Sequence, residues 1–454
     1  MLAEVRKGES AAKTLATFIH DLSYHDLPEG VKELAKTRIL DTLASAFAGR
    51  DLPHSRIAVE AVKNSQGDST VFGHGLKVAA RDAALANGVL AHSIFYEDMI
   101  LRAPHPSTMV IPAVVAVGEQ ERASGPETLV AIVLGYELLG RVFRALGGLT
   151  GFAMPGFRPG TIVGTFGAAA AAGRLMKLSQ EQLVHTLGFA AALTPGTPSE
   201  CWWGGTMEGM FQAGMSAQTG ILAAHLARAG ATAAPQALGG KHGFFRCWSG
   251  TAGKAELATE DLGKTFLIMR TVVKPYPACG ANQLPIQAAL PLAQRNLRAK
   301  DIARVIEKLP PGATSYAGND FPGAFTSHFQ AGMSLQFCAA ATILGRPVTS
   351  FRFYAEHYDD PEVAELAAKV ELVCEEGRTK PRFEVHTQDG KVYASEEETP
   401  DRTNHTPTRK NMEEKFRALA SGFLGTERTE ELIDLVMNLE KLDDLRKLTA
   451  RVGK

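Results

Sequence analysis

Between Ala91 and Ser107 the chain reads AHSIFYEDMILRAPHPS, which puts His92, Glu97, Asp98 and His105 within one short span. Imidazoles change charge near neutral pH, and carboxylates nearby can orient them or pass on a proton. A loop that carries such groups and ends at a helix start is a place to hold an anionic substrate. The alternative is that the same groups only cap and pin two core helices. A metal site is not expected. His92 and His105 are not four residues apart on one helix face, and Cys201, Cys247, Cys279, Cys338 and Cys374 form no CxxC pair.

The elements that must position this loop are helical. Ala79 to Leu90 precedes it, and Thr108 to Val117 follows, with Pro106 suited to the first turn. Upstream, Ala11 to Leu22 and Pro28 to Ala48 read as amphipathic helices, the second with Val31, Leu34, Ile39, Leu40 and Leu43 at helical spacing. Gly49 is read as its C-terminal stop. A helix at Ser55 to Asn64 leads to an extended piece, Ser69 to Phe72, and a turn at Gly73-His74-Gly75. Gly125 to Leu146 is a long helix. Phe152 to Leu178 is rich in Gly and Ala, and Gly164, Gly167, Ala168 and Ala171 would let helices approach closely. Its GTIVGTFG lacks both the Lys-Ser/Thr of a phosphate loop and the GxGxxG order of a dinucleotide site. Ser179 caps a helix to about Leu193. SECWWGG then reads as a loop entering a helix that runs to Ala229. On it Trp202 and Trp203 are either pocket wall or core packing.

Composition shifts after residue 265. Thr265 to Val273 reads as a strand, Lys274 to Gly280 as a rigid turn, and Gln283 to Leu297 as a helix. Asp301 to Leu309 is left open between strand and helix. Met333 to Ile343 and Pro361 to Ala368 are helical. Val370 to Cys374 and Phe383 to Tyr393 are β-like, with Asp389-Gly390 as a hairpin turn. Helices return at Thr408 to Ser421 and Thr429 to Lys441. The expected fold is mainly α: a large all-helical domain from residues 1–265 plus 400–454, with a smaller α+β lid, residues 266–399, inserted between them.

The chain has 454 residues, 45% hydrophobic and 21% charged, with a formal charge of −1. That balance gives no case for nucleic acid or an anionic membrane surface. No uninterrupted apolar run reaches the length of about 18 residues that a spanning helix needs. The first residues lack a signal core, and the sparse cysteines suit a reducing compartment, so a cytoplasmic protein is expected.

Six ordered segments resemble the MmgE/PrpD family: LDTLASAFAG (40–49), ARDAALANGVLAHS (80–93), HPST (105–108), GYELLGRV (135–142), VGTFGAAAAAGRLMKLS (163–179) and KPYPACGAN (274–282). The resemblance implies a helical body with an α+β lid, a cofactor-free homodimer, and action on a small di- or tricarboxylate. Dehydratase- and decarboxylase-like members carry Asp-Phe-Asp-Asp-Thr where this chain has Phe95-Tyr96-Glu97-Asp98-Met99. Their Phe-His-Pro-Pro is Phe157-Arg158-Pro159-Gly160 here, and their Lys-x-Leu-His is Gly209-Met210-Phe211-Gln212. The histidine after KPYP is Gln283, whereas His105 and the lid lysine, Lys274, are kept.

The implied catalytic pair is Lys274 and His105. Lys274, in an apolar cleft beside a second cation, would be a base, and His105 would work near neutral pH. Arg158 would anchor a carboxylate by two N–H groups, unless Glu208 or Glu137 holds it as a structural pair. Tyr96, Glu97 and Asp98 would orient His105 or supply a proton. Trp202, Trp203, Cys279 and Gln283 complete the expected substrate contacts. The reaction implied is proton abstraction next to a carboxylate, by a dehydratase or related lyase. The alternatives are an epimerase or isomerase of a dicarboxylate, and a member that binds its ligand without turnover.

Overall fold

The computed structural model describes residues 10–101, 103–148, 156–249, 254–396 and 406–453, and the chain is mainly α. Among the described residues up to 259 the expected helices appear in order, joined by three short ones not expected from the sequence. They are α1 (Ala11–Asp21), α2 (Glu29–Gly49), α3 (Pro53–Val62), α4 (Ala80–His92), α5 (Pro106–Gln120) and α6 (Gly125–Ala145). Next come α7 (Pro159–Leu175), α8 (Gln180–Leu193), α9 (Glu200–Gly204), α10 (Glu208–Arg228), and the short α11 (Phe244–Ser249) and α12 (Glu256–Thr259). Their starts are set by chemistry visible in the sequence. Ser10, Ser124 and Ser179 cap α1, α6 and α8 through their hydroxyls, and Pro106 and Pro159 occupy first-turn positions of α5 and α7.

Helices α5, α6 and α7 are buried on nearly every side, which is why they are apolar all round rather than striped. The small residues of α7 serve close packing. A Cβ at Gly167 would lie 2.7 Å from the Gly135 carbonyl oxygen on α6, and a Cβ at Gly220 on α10 would lie 2.5 Å from the Ala168 Cβ. GTIVGTFG is therefore the inside of a helix stack, not a phosphate loop. Gly167→Ala should cost about 1–3 kcal/mol, because backbone and not a flexible side chain must give way; urea unfolding measures it.

Gly49 is not a left-handed stop. It is the last residue of α2, and a Cβ there would fall 1.7 Å from Ser93 Oγ, so the glycine is needed for the approach of the loop after α4. SECWWGG is also not a plain loop. It forms the short α9, which ends where Gly205 takes a φ of +64°.

The extended piece after α3 is a hairpin of β1 (Ser69–Val71) and β2 (Leu76–Val78), turned by Gly73 and Gly75 at φ of +68° and +63°. Strand β3 (Asp98–Ile100) pairs antiparallel with β4 (Thr271–Val273). The strand expected over 265–273 is thus confined to its last residues, since Leu267–Arg270 turn as a 3-10 helix. Beyond it lie α13 (Gln283–Ala293), α14 (His328–Met333), α15 (Leu335–Ile343), α16 (Phe351–His357) and α17 (Pro361–Ala367). These accompany a four-stranded sheet of order β6-β5-β7-β8. The segment left open in the sequence is its central strand β5 (Ile302–Leu309). It runs parallel to β6 (Val370–Cys374) and antiparallel to β7 (Arg382–Thr387). The β7–β8 (Val392–Glu396) hairpin turns at Asp389-Gly390, with Gly390 at φ +81°.

Helices α18 (Arg409–Leu424), α19 (Thr426–Met437) and α20 (Arg446–Val452) return to the first half, where Phe416 meets Phe47 edge-on at 6.4 Å. One apolar cluster joins residues from Ala12 to Ile268 with Phe416 to Val452, and a second runs from Tyr276 to Val385. A small third cluster, with Phe95, Trp202, Met210 and Phe329, lies at the site. The boundary expected at 399/400 lies outside the described residues.

Candidate active site

Glu97 is the hub. Because Asp98 pairs with Val273 across the β3–β4 ladder, the neighbours Glu97 and Lys274 arrive side by side. Lys274 Nζ lies 3.2 Å from Glu97 Oε1 and donates to the Phe95 carbonyl at 3.0 Å. The same Oε1 lies 3.1 Å from His92 Nδ1 and 3.2 Å from His105 Nδ1. Burial opposes a charge on Glu97, but Lys274 and the two imidazoles outweigh it and hold the carboxyl well below its usual range.

The acceptors fix the proton positions. His105 Nδ1 also faces the Asp98 carbonyl at 3.0 Å, and neither that oxygen nor the carboxylate can donate. Nδ1 therefore carries the hydrogen, and Nε2 keeps a lone pair. Burial, then the Lys274 charge, push the His105 imidazole well below its ordinary range, so it rests neutral. His92 is likewise lowered, first by burial.

Arg158 stands at the start of α7, where its N–H donates to the Thr197 carbonyl at 3.0 Å. Its guanidinium lies over the Trp202 ring at 4.4 Å and near the Tyr316 ring at 6.0 Å. No carboxylate holds it among the described residues. Glu137 pairs with Arg141 at 2.7 Å instead, and Glu208 is exposed. Trp202, under the guanidinium, packs on Phe95 at 5.6 Å, and the Phe95 ring in turn meets His92 at 5.5 Å and Lys274 at 5.5 Å, so Arg158 approaches the histidine cluster through these two rings.

The remaining residues divide. Trp202 is fully buried against Phe95 at 5.6 Å, while Trp203 is 42% exposed and touches Phe321. Consecutive residues on a helix point about 100° apart, so only one of the pair can face the site. Tyr96 donates to the Pro275 carbonyl at 3.1 Å and clamps the turn that carries Lys274. Burial and Asp41 push its phenol up to about 12. Asp98 accepts from Ser107 N–H at 3.0 Å and from Tyr136 at 2.8 Å, and burial raises it to about 6 despite Arg38. Gln283 uses its whole amide on the turn: its Nε2 donates to Tyr276, Ala278 and Cys279 carbonyls, and its Oε1 accepts from Tyr276 N–H. Cys279 is partly exposed, and burial raises its thiol, which disfavours the thiolate form.

Several contributors were not singled out from the sequence. Gln212 Nε2 lies 3.4 Å from His92 Nε2, and Thr161 donates to Gln212 Oε1 at 2.8 Å. Lys415 of α18 pairs with Asp41 at 2.6 Å and lies over the Tyr96 ring at 4.0 Å. Its only sequence signal is a lysine beside the buried stripe Met412, Phe416 and Ala420.

The cluster is closed: Lys274 is 2% exposed and Glu97 0%. An open hollow of about 400 Å³ lined by Gln66, Arg81, Gln120 and His225 is separate from it. Among the described residues no group of three or more His, Cys, Asp or Glu is placed to hold a metal ion. No helix among them is long and apolar enough to cross a membrane.

The comparison by sequence gives the family. The MmgE/PrpD N-terminal domain matches residues 13–256 and the MmgE/PrpD C-terminal domain matches residues 276–441, so the chain belongs to the MmgE/PrpD family. Similar proteins include the cis-aconitate decarboxylase of Homo sapiens, 30% identical over 463 residues that cover 97% of this chain and 94% of that protein. The cis-aconitate decarboxylase of Aspergillus terreus strain NIH 2624 is 26% identical over 457 residues, covering 94% and 93%.

Proposed function

We propose that this chain is a lyase that takes a small tricarboxylate of the cis-aconitate type and releases one carboxyl group as CO2. The observation that carries the reading is a charge imbalance in a closed site. Lys274 and Glu97 cancel, both imidazoles rest neutral, and Arg158 is left as a buried cation with no carboxylate among the described residues. A buried charge calls for a counter-charge, and a substrate carboxylate supplies it. The relatives named for this reaction give the substrate class. Lys274 reaches the cluster from the proposed lid (266–399), and Glu97, His105 and Arg158 from the proposed body (1–265 plus 400–454).

The step balances simply. The C–C bond to the departing CO2 breaks, and its electron pair forms a new double bond. The pair of the old double bond takes a proton at the carbon next to a second carboxylate. His105 Nε2 delivers that proton, which it must first acquire, because it rests neutral. A polyanion beside it raises its proton affinity, so substrate binding and proton uptake go together. Lys274 has two N–H groups committed and a third for a substrate oxygen, and Arg158 holds a carboxylate by its terminal N–H groups.

Proton NMR in D2O with cis-aconitate and a panel of other di- and tricarboxylates tests this. New =CH2 signals, loss of CO2 and one deuterium in the product are expected. Deuterium entering an unconverted dicarboxylate would support the epimerase instead. A hydrated or dehydrated product would support the dehydratase, and no change with any candidate acid would leave a binding protein. Arg158→Gln should raise KM by about 10- to 100-fold with a smaller change in kcat, the worth of a charge-assisted contact. An unchanged KM would remove Arg158 from the substrate.

A further inference from the structure

We propose that Gln212 and Thr161 are positioning residues that act through His92, offering its Nε2 only a donor and so disfavouring a second proton there, and thereby keep His105 ready to accept a proton. The proposal deepens the reading above and rests on His105 as the proton carrier.

The argument is one of donors and acceptors. The amide of Gln212 could face His92 with either end. Glu97 decides it. Its Oε1 is 3.1 Å from His92 Nδ1, so Nδ1 carries hydrogen. A neutral ring then has a lone pair at Nε2, and only the NH2 end of Gln212 can serve it, at 3.4 Å. The oxygen end is left for the Thr161 hydroxyl at 2.8 Å. Thr161 and Gln212 are themselves held: Ser216 Oγ donates to the Thr161 carbonyl at 2.9 Å and to the Gln212 carbonyl at 3.1 Å. The direction of donation runs without a break from Thr161 through Gln212 and His92 to Glu97.

That direction matters to His105, whose ring centroid is 5.4 Å from that of His92. An imidazolium at His92 would repel a proton on His105 and share the Glu97 charge that steadies it. A neutral His92, locked by an amide that offers only N–H, avoids both effects. The other charged or titratable groups facing the two rings are Lys274 after β4 and Arg158 at the start of α7; Asp98 in β3 meets His105 through its backbone carbonyl and turns its carboxylate to Ser107 and Tyr136. His54 on α3, stacked on His328, feels the His92 charge, and Lys415 on α18 feels that of Glu97. None of these offers His92 Nε2 a hydrogen-bond partner; Gln212 does.

Gln212→Glu is the informative change, because a carboxylate at that end demands a second N–H on His92. In histidine-15N NMR, the unaltered protein should show His92 with one protonated and one bare nitrogen at neutral pH. Gln212→Glu should show both protonated. A unit charge at this distance through an effective dielectric of about 20 is worth about two pH units, part of which the new carboxylate cancels. The alkaline limb of the kcat–pH profile should therefore move down by about one unit. Thr161→Val, which keeps the charge and the shape, frees the Gln212 amide to turn its oxygen towards His92 Nε2, so with Nδ1–H still held by Glu97 the ring should be partly doubly protonated and the limb should move down by less than in Gln212→Glu. The same spectra follow His105 in a complex with a tricarboxylate, so the relay is tested even if the reaction class is wrong. A doubly protonated His92 in the unaltered protein would overturn the proposal. So would a Gln212→Glu protein whose His92 gains its proton while the His105 titration stays fixed.

Discussion

His105→Asn should lower kcat by about 10²- to 10⁴-fold, the range that a positioned acid or base supplies. Asparagine is chosen because its amide can still donate to the Asp98 carbonyl, where Nδ1 sits at 3.0 Å, yet it has no nitrogen that exchanges a proton near neutral pH. The fold should survive, with far-UV circular dichroism unchanged and urea stability lowered by about 1 kcal/mol, one ordinary hydrogen bond.

The pH dependence gives the sign of the role. In the free protein burial and Lys274 hold the His105 imidazole well below its usual 6.5, so its protonated form is scarce at neutral pH. The profile of kcat/KM reports the free protein, and should fall as pH rises through neutrality. The profile of kcat reports the complex, where the bound polyanion has raised the same group, so its plateau should extend to higher pH. His105→Asn should remove the limb from both profiles. Near-normal turnover in this variant would remove His105 from the chemistry.

The parts of the fold legible in the sequence are those whose cause is local. Ser124 and Ser179 announce helix starts, Asp389-Gly390 a hairpin, and Gly167 a close helix contact, because capping, turn geometry and side-chain size act within a few residues. The span from Ala91 to Ser107 stood out for the density of its ionisable groups. What joins it to Lys274 did not. A three-residue ladder, Asp98–Ile100 with Thr271–Val273, is too short to leave a period-two signature, and yet it sets which side chains meet. The Arg38–Asp98 and Lys415–Tyr96 contacts join residues far apart in the chain, and nothing in either local stretch encodes the partner. Gln212 first registered only as a departure from the family pattern. Its work lies in the orientation of an amide, and that orientation is decided by Glu97 on another element.

Lys274→Met should damage stability and turnover together, and the two effects can be separated. Methionine keeps much of the volume, but Glu97 would be left buried without its cation, and breaking a buried pair from one side costs about 3–5 kcal/mol. The cost has a pH signature. With Lys274 present, Glu97 is held well below its usual 4.5, so it contributes stability above that value and loses it as pH falls. Without Lys274, burial raises the carboxyl above its unfolded value. The folded chain then binds the extra proton, and stability falls as pH rises. Urea unfolding should therefore show a smaller deficit at about pH 5 than at about pH 8. The double variant Lys274→Met/Glu97→Gln carries no orphaned charge and should recover most of the lost stability. It should not recover turnover, because the N–H meant for a substrate oxygen is still missing. Recovery of both would mean that Lys274 only balances Glu97, and the chemistry would then rest on His105 and Arg158 alone.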